Sequence, residues 1–120
     1  MMSTDSIGSG VRDWANTDDW FSNIPATLLE NEVGEMYNDS EFVRTTQQSF
    51  TGKTPGAFTI KLNPAAGQGF KDALTQLSYL ASQGVAIRSA TGYIQPIIKL
   101  SQSKMTIRGL QIKATATTSY

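Results

Sequence analysis

The residues best suited to chemistry in this 120-residue chain are carboxylates in two groups, Asp18-Asp19 and Glu30, Glu32 and Glu35. Paired carboxylates can divide into a general acid and a general base, or hold a hard cation. Asp18 and Asp19, being adjacent, point in different directions. Glu32 and Glu35 fall on the polar side of a short amphipathic stretch, so the expectation is a solvated acidic surface. The chain contains neither His nor Cys. That removes the usual proton carrier near neutral pH, the thiolate nucleophile, the disulfide and the commonest transition-metal ligands. Gly52-Lys53-Thr54 copies the end of a phosphate-binding loop, but Gln47 stands where the motif needs its first glycine. Residues 63–71, NPAAGQGFK, read as a glycine-rich strand-to-helix connection whose G-x-G lacks its third glycine. Asn38-Asp39-Ser40 matches a glycosylation acceptor, which has meaning only in a secreted chain. These readings predict a protein that is not an enzyme and uses no cofactor, metal or small-molecule substrate.

The cations carry a second possible chemistry. Lys61, Arg88, Lys104, Arg108 and Lys113 fall opposite the apolar positions of their segments, so a paired sheet would present them on one exposed face. Such a face attracts phosphates, and Tyr93 is its one stacking platform for a single-stranded nucleic acid. The formal net charge of zero hides a division along the chain. Residues 1–45 hold nine acids against Arg12 and Arg44, a sum of −7. Residues 46–120 hold eight bases against the lone Asp72, a sum of +7. Polarity of this kind predicts contact with copies of the chain or with a charged partner.

The elements that must position these groups follow from hydrophobic spacing. Residues 1–24 are acidic, with a Gly/Ser-rich start and the aromatics Trp14, Trp20 and Phe21; they read as a flexible, extended arm. The tryptophans either fold back on the body or anchor the arm in a neighbouring protein. Residues 26–37 read as a short helix with Ala26, Leu29, Val33, Met36 and Tyr37 on one face, weakened by Gly34. Residues 38–56 read as loop. Residues 57–62 alternate as a half-buried strand. Residues 69–83 give the best-defined helix, ended by Gly84. Strands are expected at 85–89 and 93–100, with a hairpin turn at 101–104. A long strand over 104–115 changes phase near Gly109, which predicts a β-bulge. No internal repeat is visible.

The fold expected is α+β: a single small domain with a mainly antiparallel four-stranded sheet, helices at about 26–37 and 69–83, and an extended acidic N-terminal arm. The arm would occupy residues 1–24 and the body 25–120. Only 17% of the residues are charged, below the quarter typical of free-standing domains, which suits surfaces covered by neighbours. In this texture the chain resembles virion and appendage components of bacterial viruses. The leading expectation is therefore a structural subunit of a larger assembly, a tail, baseplate or head–tail component, docking through its edge strands and arm. Trp14, Asp18, Asp19, Trp20 and Phe21 would make the partner contacts. The alternative is a single-stranded nucleic-acid-binding module whose acidic arm competes for the basic face. No secretory signal or membrane-spanning run is apparent, so the expected location is the virion or host cytoplasm.

Overall fold

The computed structural model describes residues 2–69, 84–90 and 97–113. It holds nine strands and one helix among them: β1 (Met2–Ile7), α1 (Thr17–Asn23), β2 (Asn31–Met36), β3 (Phe42–Arg44), β4 (Gln48–Phe50), β5 (Ile60–Pro64), β6 (Ala86–Ser89), β7 (Ile98–Leu100), β8 (Met105–Ile107) and β9 (Gln111–Lys113). Every strand pairing is parallel. The strands form three sheets, ordered β1-β2-β5-β8, β3-β6-β9 and β4-β7. Each sheet takes its strands in chain order and at intervals. The backbone therefore coils, placing one strand in each sheet before returning to the first a rung lower, as in a three-sided parallel β-solenoid. β2-β3-β4 make one complete rung and β5-β6-β7 the next. β1 and α1 form the rung above them, and β8 and β9 the rung below.

Inward-facing side chains of successive rungs stack into a single core. Ile7, Met36, Phe50, Ile60, Leu62 and Val85 are fully buried in it, with Ile87 and Ile97 nearly so. In the first sheet one inward row runs Glu32, Ile60, Met105, and the next runs Asp5, Gly34, Leu62, Ile107. The missing side chain at Gly34 is filled by α1. A Cβ built there would lie 2.6 Å from Trp20 Cε2 and 2.9 Å from Ile7 Cδ1. Trp20 is fully buried, and Phe21 beside it meets Phe50 edge-to-face at 5.1 Å between ring centroids. Asn16 starts this helix by accepting the Asp19 N–H at 2.9 Å, and Asp18 and Asp19 complement the dipole in its first turn.

Side-chain amides fasten the corners of neighbouring rungs. Gln102 accepts the Lys53 N–H and donates to the Lys53 carbonyl, both at 2.8 Å. Gln68 accepts the Asn38 N–H at 2.9 Å, and Asn31 accepts the Thr59 N–H at 3.0 Å.

This architecture overturns the expected α+β domain with an antiparallel sheet. The segment read as a helix at 26–37 contains β2, whose neighbours on both sides are parallel strands. The expected extended arm is β1 and α1, with Ile7 and Trp20 in the core. The hairpin turn expected at 101–104 is a corner between β7 and β8, which belong to different sheets. The phase change near Gly109 has the same origin. Gly109, at φ 78°, turns the chain out of the first sheet at β8 and into the second at β9, so there are two strands where one bulged strand was expected. In β5 Ile60 and Leu62 are buried and Lys61 is exposed, which is the alternation seen in the sequence. The helix expected at 69–83 lies, beyond Gly69, outside the described residues, as does the first half of the strand expected at 93–100, whose last three residues are β7.

Candidate interaction surfaces

The first rung closes the end of the solenoid. In a parallel ladder alternate residues turn their main-chain groups to opposite sides. Ile7 turns toward β2, its carbonyl accepting the Tyr37 N–H at 2.9 Å. Ser6 therefore faces the free edge, where both its groups are occupied. Its N–H donates to Asp13 Oδ2 at 2.8 Å, and its carbonyl accepts the Trp14 N–H at 2.9 Å. The Gly8 N–H donates to the Trp14 carbonyl, also at 2.9 Å, and Trp14 Nε1 donates to Asp5 Oδ2 at 3.1 Å. A loop folded back on an edge in this way prevents unwanted strand pairing.

The loop from β2 clasps the same end. Arg12 grips Asp39 through Nε at 2.9 Å and Nη2 at 2.7 Å, while the Gly10 N–H donates to Asp39 Oδ2 at 3.0 Å. The guanidinium lies 3.5 Å from the centroid of the Tyr37 ring. The Arg12 hydrogen bond is the main cause that holds the Asp39 carboxyl down at about 2, aided by the Gly10 N–H. Asp18, expected at a partner contact, is bound bidentately by Arg44 at 2.6 and 3.2 Å. Asp19 remains exposed. Trp14 is half-buried against the core, and Trp20 and Phe21 lie within it. Of the five residues expected to meet a partner, Asp19 is thus the one that is both exposed and without an ion pair among the described residues.

The expected basic face divides in two. Lys61 and Arg108 stand on the outer side of the first sheet, and Lys104 precedes β8 with Nζ bound to the Gly56 carbonyl. Arg88 and Lys113 are register partners in the second sheet, where Arg88 Nε meets Glu41 Oε1 at 2.5 Å. Tyr93 lies outside the described residues. Lys61 and Arg108 share a pocket of 260 Å³ with Asn63 and Thr106. Sequence reasoning missed Asn63 and Thr106 because their closeness depends on the parallel register of β5 and β8, and no local spacing reports it.

Glu32 is the acid placed least comfortably. It points inward between Ser3 and Ile60 and is nearly buried. Burial is the largest cause pushing its carboxyl above the usual range, with Glu30 and Asp5 adding repulsion and a Ser3 hydrogen bond opposing. Trp20 Nε1 is buried with no hydrogen-bond partner among the described residues. Among the described residues, no group of acids is arranged to hold a metal ion, and no helix is long and apolar enough to cross a membrane. No protein-family model, curated protein or solved structure matches this chain.

Proposed function

We propose that this chain is a non-enzymatic structural subunit that contacts its neighbours along the solenoid axis. In its narrower form the reading is a bacteriophage tail, baseplate or head–tail component, working in the virion or host cytoplasm. The observation that carries it is axial polarity. In a solenoid, position along the chain becomes position along the axis, so the −7 of residues 1–45 sits on the first two rungs. Of the described cations beyond residue 45, Lys61, Arg88, Lys99, Lys104, Arg108 and Lys113 sit on the last two, while Lys53, before β5, reaches back to the Ile24 carbonyl. Opposite charges at opposite ends favour head-to-tail contact, setting orientation and encounter rate more than affinity. The first-rung edge is closed at Ser6 and Gly8, so the contact at that part of the end rests on side chains.

The core positions of Trp20 and Phe21 change how the reading must be tested. Removing residues 1–24 would remove core, so loss of assembly in that variant would be uninformative. The test is sedimentation velocity of the full chain at low and high salt, with Lys99→Glu and Asp19→Lys variants. The expected result is self-association at low salt that disappears in about 0.5 M salt, where screening acts within roughly 4 Å. Each single reversal should weaken association, and a mixture of the two variants should restore it. A strictly monomeric 13.0 kDa species under all conditions would overturn the proposal.

A further inference from the structure

We propose that Lys61, Asn63, Thr106 and Arg108 form a binding site for a small tetrahedral oxyanion, such as phosphate, on the outer face of the first sheet. The site is independent of end-to-end assembly. Its geometry follows from register. Lys61 lies beside Thr106 across the β5–β8 pair. The Arg108 N–H donates to the Leu62 carbonyl at 3.2 Å, which sets Arg108 beside Asn63 one step further along. Lateral neighbours in a sheet are about 4.8 Å apart and alternate residues about 6.6 Å, so the two cations sit on a diagonal of about 8 Å between Cα atoms. Long side chains converge easily over that distance, with the Asn63 amide and Thr106 hydroxyl between them. All four line the same 260 Å³ pocket. Asn63 and Arg108 also border a second hollow formed with Pro64, Ala65, Gly67, Gly69 and Gly109.

The pairing pattern of the arginines marks this position. Arg12, Arg44 and Arg88 each hold a carboxylate, on Asp39, Asp18 and Glu41 respectively. Arg108 is exposed and holds none among the described residues, and neither does Lys61. A guanidinium fork and an ammonium supply charge-assisted hydrogen bonds to a dianion. The Thr106 hydroxyl and the second N–H of the Asn63 amide, whose nitrogen also donates to the Pro64 carbonyl at 3.1 Å, can complete its shell. The surroundings limit the ligand's size. Glu35 is the register partner of Asn63 on the far side from Arg108, and Val33 is the partner of Lys61. A polyanion running across the sheet would meet the Glu35 carboxylate within one strand spacing of Asn63. One compact anion avoids it.

The test is an amide-resolved NMR titration of the full chain with inorganic phosphate, with sodium chloride keeping ionic strength constant. Saturable shifts centred on Lys61, Asn63, Thr106 and Arg108 are expected. Lys61→Gln and Arg108→Gln should each weaken binding by about tenfold, as loss of a charged hydrogen-bond partner does. Lys99→Gln should leave it unchanged. Glycerol phosphate in a parallel arm distinguishes a phosphate ester from the free ion, and binding of either supports the site. Shifts that rise linearly without saturating, or binding that survives Arg108→Gln in a folded chain, would overturn the proposal. So would a single-stranded oligonucleotide that binds more tightly than phosphate and depends equally on Lys99.

Discussion

Gly34 and Trp20 show how one missing side chain can decide a local fold. The inward row of the first sheet leaves a gap at Gly34, and the indole of Trp20 enters it from α1. An alanine there would place its Cβ within 3 Å of two buried side chains, Trp20 and Ile7. Overpacking of this kind costs about 1–3 kcal/mol. Gly34→Ala should therefore lower Tm by several degrees, at roughly 4 °C per kcal/mol for a chain of this size. Combining it with Trp20→Phe, which shrinks the ring and removes the unpartnered Nε1–H, should cost less than the two changes added separately. Additive losses in thermal unfolding would refute the contact. Glu32 gives a pH-dependent prediction. Its folded-state pKa lies above its ordinary value of 4.5, so the folded chain holds this proton more tightly than the unfolded chain does. Stability from this group is complete below 4.5 and is lost as pH rises through the elevated folded value. Glu32→Gln should then stabilise the protein at neutral pH and flatten the dependence on that side of the curve, as read by urea denaturation at pH 4 and pH 7.

At the scale of elements, the Asp39 clasp and the amide corners determine how rungs are joined. Asp39 has the opposite sign to Glu32: its carboxyl is held at about 2, below its ordinary 3.8. Its contribution is present above 3.8 and disappears as pH falls through about 2. Asp39→Asn should remove that acid limb while exposing the Gly10 amide to faster hydrogen exchange; unchanged exchange at Gly10 would count against the clasp. Gln102 spans both main-chain groups of Lys53 and is itself buried, so Gln102→Leu strands a donor and an acceptor. About 1–3 kcal/mol is the expected loss for such unpaired groups, measurable by chemical denaturation. These bonds give Gln102, Gln68 and Asn31 roles at corners inside the chain that need no partner.

The same elements explain what the sequence concealed. β5 was legible because Ile60 and Leu62 alternate with Lys61 in the ordinary way. β2 was not, because its inward positions are Glu32, Gly34 and Met36, so period-two hydrophobicity is hidden and the helical spacing of Leu29, Val33 and Met36 stands out. The repeat was invisible because rungs differ in length. Met2 pairs with Asn31, Glu32 with Ile60 and Ile60 with Met105, spacings of 29, 28 and 45 residues. The cations of the candidate anion site were each identifiable as exposed, but their grouping depends on a pairing 45 residues apart.

For the whole molecule, the consequence of a solenoid is that each rung is stabilised mainly by the rungs next to it. A terminal rung must cover the open end of the core, and here that task falls to residues 2–24. They contribute Ile7, Trp20, Phe21 and Ile24 to the buried cluster. Burying each such side chain is worth about 1.5–3 kcal/mol, so together they supply on the order of 6–12 kcal/mol. That is comparable with the whole stability of a typical domain, about 5–15 kcal/mol. Loss of these residues would also uncover Met36 and Phe50 and free the edge of β2 for pairing with other chains. A chain starting at residue 25 should therefore lose its cooperative urea transition and aggregate at micromolar concentration, while the full chain unfolds in one step. The outcome separates two descriptions of the N-terminal segment. If it were an appendage on a self-sufficient body, the truncated chain would keep both the midpoint and the slope of its transition. If it is the cap of the core, both will be lost, and charge reversals confined to exposed Asp19 will leave them nearly unchanged.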